Sequence, residues 1–104
     1  MANLTSTPRN FDAALSALAG RSERKLGNNT WLVKAADDCI YVTLHGNDIV
    51  KYTPEATYGT WAGWASSTTR DRLNQLTGGR WNIAKGHGCF NGEPVADHRA
   101  WIAA

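Results

Sequence analysis

Long apolar runs are missing from this 104-residue chain, and with them any stretch near the ~18 residues of a membrane span. Cysteine is scarce: Cys39 and Cys89 stand far apart, which is no disulfide framework of a small secreted protein. The two read as free thiols, at least one of them buried. Charge of one sign is also in short supply, with a net of +2, too little by itself to argue for nucleic acid. The opening MANLTSTPRNFD has no charged-then-apolar build of a secretion signal, so the cytoplasm is the expected compartment. Repeats, linkers and low-complexity tracts are absent too.

Catalytic and metal signatures are missing as well. There is no nucleophile elbow, no His-Glu-x-x-His and no phosphate-cradling glycine loop. Asp97 and His98 are adjacent, so on a strand they point apart and make no orienter–base pair. Nothing in the spacing favours one histidine as a partner for Cys89. His87, Cys89 and His98 fit no standard zinc spacing, and a structural site needs four ligands. His45 or Cys39 would have to complete it from another strand. The expectation is a non-enzyme with no cofactor and no structural metal, with Gly86-His87-Gly88 forming a turn.

What is present is ordinary folded-domain material: 42% hydrophobic residues and five tryptophans, each able to bury about 150–250 Å². This length suits one domain, residues 1–104, with one modest core. Thr7-Pro8 reads as a helix start. Phe11, Ala14, Leu15 and Leu18 then share one face, and Gly20 supplies a left-handed stop. RSERK (21–25) reads as a polar, basic connector before a turn at Leu26-Gly27-Asn28-Asn29.

From Thr30 the period becomes two. TWLVKA, CIYVTLH, DIVKYT and TYGTWAGW are four β-rich runs separated by Asp37-Asp38, Gly46-Asn47 and Pro54-Glu55-Ala56. Connections this short join antiparallel neighbours, hence a meander. Ile40, Val42 and Leu44 point one way, and Cys39, Tyr41, Thr43 and His45 the other, as in a sheet covered on one face. Thr68 and Asp71 resemble a capping box for a second helix through Leu73 and Leu76 that stops at Gly78-Gly79. RWNIAKG, GCF and Asn91-Gly92 suggest one or two short hairpins, with Trp81 and Ile83 buried on one strand face. The tail ADHRAWIAA fits a strand or a short helix. The fold class is therefore α+β: an antiparallel sheet of four to six strands with two helices packed on one face.

Several of these residues form a longer pattern: Asn28-Asn29-Thr30-Trp31-Leu32, Ile40-x-Val42-x-Leu44-His45, Asp48-Ile49-Val50, Gly59-x-Trp61 and Thr68-Thr69-Arg70-Asp71-Arg72-Leu73-Asn74. Over residues 26–76 it resembles a family of short proteins encoded mainly by phages of actinobacteria. The chain departs from that family's pattern at Arg70, where Lys is usual, and in the added aromatic weight of TYGTWAGWASS. The resemblance implies a phage accessory protein made in a bacterial cytoplasm and acting outside the virion. It implies no particular chemistry.

Three binding surfaces are candidates. Trp61 and Trp64, three apart, should face opposite sides of a strand, one joining the core and the other serving as an interface anchor, since tryptophan dominates binding hot spots. Tyr41 and His45, with Thr43 and with Lys34 or Lys51 nearby, could form an aromatic face for a macromolecule or single-stranded nucleic acid. The helix start could hold an anion through Ser67, Thr68, Thr69, Arg70 and Arg72, with Arg80 near; against this, Asp71 as a first-turn residue would already satisfy the helix dipole. The expected function is a small phage protein that binds a host protein, as a takeover or anti-defence inhibitor. Nucleic-acid binding through Arg70, Arg72 and Arg80, or sequestration of a small anionic nucleotide at Ser66–Arg72, is the alternative.

Overall fold

The computed structural model describes residues 4–104. Residues 1–3, part of the expected single domain and of the opening stretch read for a secretion signal, lie outside the described residues. Six strands form an antiparallel meander: β1 (Glu23–Gly27), β2 (Thr30–Lys34), β3 (Ile40–Leu44), β4 (Asn47–Tyr52), β5 (Thr57–Gly59) and, from the far end of the chain, β9 (Ile102–Ala103). A second, three-stranded sheet contains β6 (Trp81–Ala84), β7 (His87–Phe90) and β8 (Glu93–Pro94). Helices α1 (Phe11–Leu18) and α2 (Ser67–Thr77) complete an α+β fold.

The alternation expected of β3 holds: Ile40, Val42 and Leu44 are buried, while Tyr41 and Thr43 are partly exposed. Cross-strand register then carries one inner row, Leu32–Val42–Val50–Gly59. Strand β4 slips by one residue between Val50 and Asp48, so Ile49 is an extra residue opposite Val42 and Thr43. Such a bulge lets two consecutive residues face inward, and both Ile49 and Val50 are buried. The hairpin joining β3 to β4 turns at His45 and Gly46, with φ 52° and 80°. Two positive φ values are the signature of the type I′ turn that suits the strand twist. His45 is therefore a turn residue and not a member of the outward strand set. RSERK, read as a connector, supplies most of β1 instead. Leu26, fully buried, is what pins that strand to the core.

Both helices begin later or earlier than their sequence signals suggest. Asn10, not Thr7, caps α1, its Oδ1 accepting the Ala13 N–H at 2.8 Å. Pro8 precedes the helix, and its carbonyl accepts the buried Tyr52 hydroxyl at 2.8 Å. Ala14 and Leu18 are buried as expected, whereas Leu15 is exposed on the flank of the helix. Ser66, not Thr68, caps α2: its Oγ accepts the Thr69 N–H at 3.1 Å. Asp71 thereby moves out of the first turn, which holds no acidic residue. Its carboxylate pairs with Arg70 at 3.0 Å. The same hydroxyl of Tyr52, with one proton to share, also lies 2.7 Å from Leu76 O, so one phenol sits between the approach to α1 and the last turn of α2.

The small sheet docks through tryptophan. Asn74 on α2 holds the Trp81 backbone twice, accepting its N–H at 2.7 Å and donating to its carbonyl at 2.8 Å. Trp81 Nε1 donates to Thr77 Oγ1 at 2.9 Å. The Trp81 ring meets Trp61 edge-on at 5.9 Å and Phe90 at 4.6 Å. Glycine makes this approach possible: a Cβ on Gly59 would lie 2.5 Å from Trp81 Cζ2, and one on Gly88 would lie 2.6 Å from Trp61 Nε1. Trp81 is buried as expected, while Ile83 packs against the core only partly. The turn expected at Gly86-His87-Gly88 lies one residue earlier, at Lys85-Gly86, and His87 and Gly88 are in β7. The tail resolves as an irregular segment ending in the two-residue β9.

Candidate functional site

A cleft of about 400 Å³ opens where the β3–β4 turn, the loop after β5 and the start of α2 meet. Leu44, Ile49, Trp61 and Ala62 supply apolar wall, and His45, Asn47, Ser66 and Thr68 supply polar rim. The expected surfaces thus partly coincide: His45, Trp61, Trp64, Thr68 and Thr69 line one cleft. Tyr41, Arg70, Arg72 and Arg80 are not among its lining residues.

The two tryptophans divide as expected, for a different reason. Strand β5 ends at Gly59, so Trp61 and Trp64 flank a tight turn and not a strand. Trp64 N–H donates to Trp61 O at 3.0 Å, and Ala62 and Gly63 have φ 55° and 83°. Trp61 is 1% exposed and belongs to the core. It forms part of the cleft wall. Among the described residues its Nε1 has no acceptor, because it lies over the Cα of Gly88. Trp64 is 74% exposed, the most solvent-accessible of the large hydrophobic side chains.

The anion set proposed at the helix start is split. Ser67 and Thr68 are exposed, but Thr69 is buried with its Oγ1 bonded to Ser66 Oγ at 2.9 Å. Arg70 is spent on Asp71. Arg72, expected in solvent, is 2% exposed. Its Nε donates to Thr30 Oγ1 at 2.9 Å and its Nη1 reaches Gln75 Oε1 at 3.5 Å. Arg80 is exposed just before β6, so Arg70, Arg72 and Arg80 make no shared basic patch. Sequence patterning missed Arg72 because arginine is rarely buried. Its place on the inward face of α2, one residue from Leu73 and four from Leu76, was the available signal.

The outer face of the large sheet carries Tyr41, Lys51 and Tyr58 in one cross-strand row. Lys51 Nζ sits 5.2 Å from the Tyr58 ring centre and 5.4 Å from that of Trp101. Trp101 in turn meets Tyr41 edge-on at 6.2 Å. Lys51 thus already covers the Tyr58 and Trp101 rings, and Trp31, 38% exposed, pairs across from Thr43 of the outward row. Lys34 pairs opposite inward-facing Ile40 and so belongs to the other row. The Asp37 carboxyl is held below the usual carboxylate range by the Cys39 backbone N–H and by the Tyr41 hydroxyl. That same bond, with burial second, pushes Tyr41 up to about 12. Burial raises Asp48, with the Asp37 charge adding to it. Burial and Asp37 likewise raise the Cys39 thiol, which disfavours the reactive thiolate. Cys89 is buried, as one of the two was expected to be.

His87 and His98 lie with ring centres 4.6 Å apart. Their bonds are to backbone: His87 Nε2 to Val95 O at 2.9 Å, and Gly88 N–H to His98 Nε2 at 3.2 Å. Among the described residues, no three His, Cys, Asp or Glu side chains come together in a metal-holding group. No helix among them is long and apolar enough to cross a membrane.

A protein-family model described as Kyanoviridae Gp96 protein matches residues 8–97, which extends well past the 26–76 segment of the sequence pattern at both ends. No curated protein and no solved structure matches the chain.

Proposed function

Because the chain belongs to the Kyanoviridae Gp96 family, a phage protein family, we propose that it is a non-catalytic accessory protein that binds a host protein in the cytoplasm of the infected bacterium, as a takeover or anti-defence inhibitor. An actinobacterial host, which the sequence resemblance implies, belongs to the same proposal. The observation that supports binding is Trp64. An indole 74% exposed costs solubility and gives the fold nothing. It is carried on a two-residue turn rather than a floppy loop, beside the cleft lined by Leu44 and Ile49. Rigid, exposed tryptophan beside a cleft is the usual anatomy of a binding hot spot.

The test compares wild type with Trp64→Ala and with a distant control, Lys85→Ala, as baits in nuclease-treated host lysate. A protein retained by wild type and control but lost with Trp64→Ala supports the reading. Equal retention by all three sinks it. A second reading, capture of a small anionic nucleotide, is favoured by one feature: the first turn of α2 holds no acid and opens on the cleft through Ser66 and Thr68. Calorimetric titration with mono- and dinucleotides checks it, and Thr68→Val should then weaken binding while Arg72 variants act only through stability.

A further inference from the structure

The segment following β8 does more than add β9 to the sheet. The carbonyl of His98 accepts the Gly63 N–H at 2.9 Å and the Thr60 hydroxyl at 3.2 Å. The imidazole of the same residue accepts the Gly88 N–H at 3.2 Å and lies tilted against the ring of His87, which is itself bonded to Val95 O. Arg99 lies over Gly63, its Cζ only 3.0 Å from where a Cβ would stand. Gly63 belongs to the turn that carries Trp64. Ala62 in that turn is left-handed at φ 55°, a conformation disfavoured for a residue with a side chain. A turn strained in this way persists when contacts outside it over-determine it. Those contacts come from residues 98 and 99.

We infer that residues 97–101 form a latch that presents Trp64, and that His98 is its positioning residue. Its ring fastens the latch to β7, and its carbonyl fixes the turn. The inference rests on the proposed role of Trp64 only for its consequence in binding. The latch itself is a property of the free protein, so the two can fail separately.

Amide hydrogen exchange on the full chain, read by NMR, tests it without any partner. His98→Ala should speed exchange at Gly63 by about tenfold or more while the amides of Leu32 and Val42 in the large sheet keep their protection. His98→Gln, whose side-chain carbonyl can accept the Gly88 N–H, should restore Gly63. Retention of the host protein, where found, should fall and return with the same two variants. Unchanged Gly63 protection in His98→Ala overturns the latch. Should that variant lose protection throughout both sheets, Arg99→Ala at an exposed position decides in its place: faster exchange at Gly63 alone supports the latch, and parental exchange overturns it.

Discussion

At the scale of single residues, Arg72 carries the sharpest expectation. A guanidinium this buried, with hydroxyl and amide oxygens for partners, is held by hydrogen bonds and packing. Arg72→Ala should cost about 1.5–3 kcal/mol or more, from lost charged hydrogen bonds and the space left behind. Arg72→Met should lie closer to wild type, because a buried charge exchanged for an apolar side chain of similar length sheds its desolvation cost. Urea denaturation midpoints check both, and an unchanged midpoint for the alanine variant would refute burial. Tyr41 makes a second residue-scale expectation. Its phenol is raised to about 12 by Asp37, so the folded state holds that proton where the unfolded chain, near 10, releases it. Its contribution to stability is whole below pH ~10 and is lost as pH rises through about 12. Absorbance titration should show a late phenolate step that Asp37→Asn moves to lower pH.

At the scale of elements, the start of α2 is the test of capping. Ser66→Ala should destabilise by about 0.5–2 kcal/mol, and exposed Thr68→Ala should be nearly neutral. The reverse order would return the cap to Thr68 and Asp71 to the first turn. Thr and Ser are chemically interchangeable as caps, so a run of Ser66, Ser67, Thr68 and Thr69 offers four starts in sequence. What selects Ser66 is the burial of Thr69 and Arg72 on one side of the helix. The meander needed no such selection. Local turn chemistry sets its β3–β4 hairpin at His45-Gly46 and, in the small sheet, the turns at Lys85-Gly86 and Asn91-Gly92, each with two positive φ values.

At the scale of the molecule, the two sheets share one core. Trp61 from the loop after β5 and Trp81 from β6 belong to the same buried cluster as Leu32, Val42, Leu73 and Leu76. Unfolding should therefore be a single transition, with far-ultraviolet and near-ultraviolet dichroism coinciding on heating. Two separated transitions would mean that the small sheet melts alone. Trp81→Ala should cost about 3–5 kcal/mol, and it should lower both signals together. Chelator treatment should leave that transition in place; a shift to lower temperature would reveal a structural metal.

How much was legible follows from how far each decision reaches along the chain. Strand alternation, short antiparallel connections and glycine-bearing turns are local matters, so composition and period determined the α+β class and a four-stranded meander and pointed to one or two extra hairpins, while β1 and β9 were not assigned. Burial of particular polar and aromatic residues is not local. Arg72 is buried because Thr30, 42 positions away, offers it an oxygen. Trp61 goes in and Trp64 out because a turn, not a strand, separates them, and residues His98 and Arg99 hold that turn. The cleft gathers His45, Trp64 and Thr68 from three separate connections. No period relates such positions, because each is placed by the packing of segments that meet only after the chain has folded.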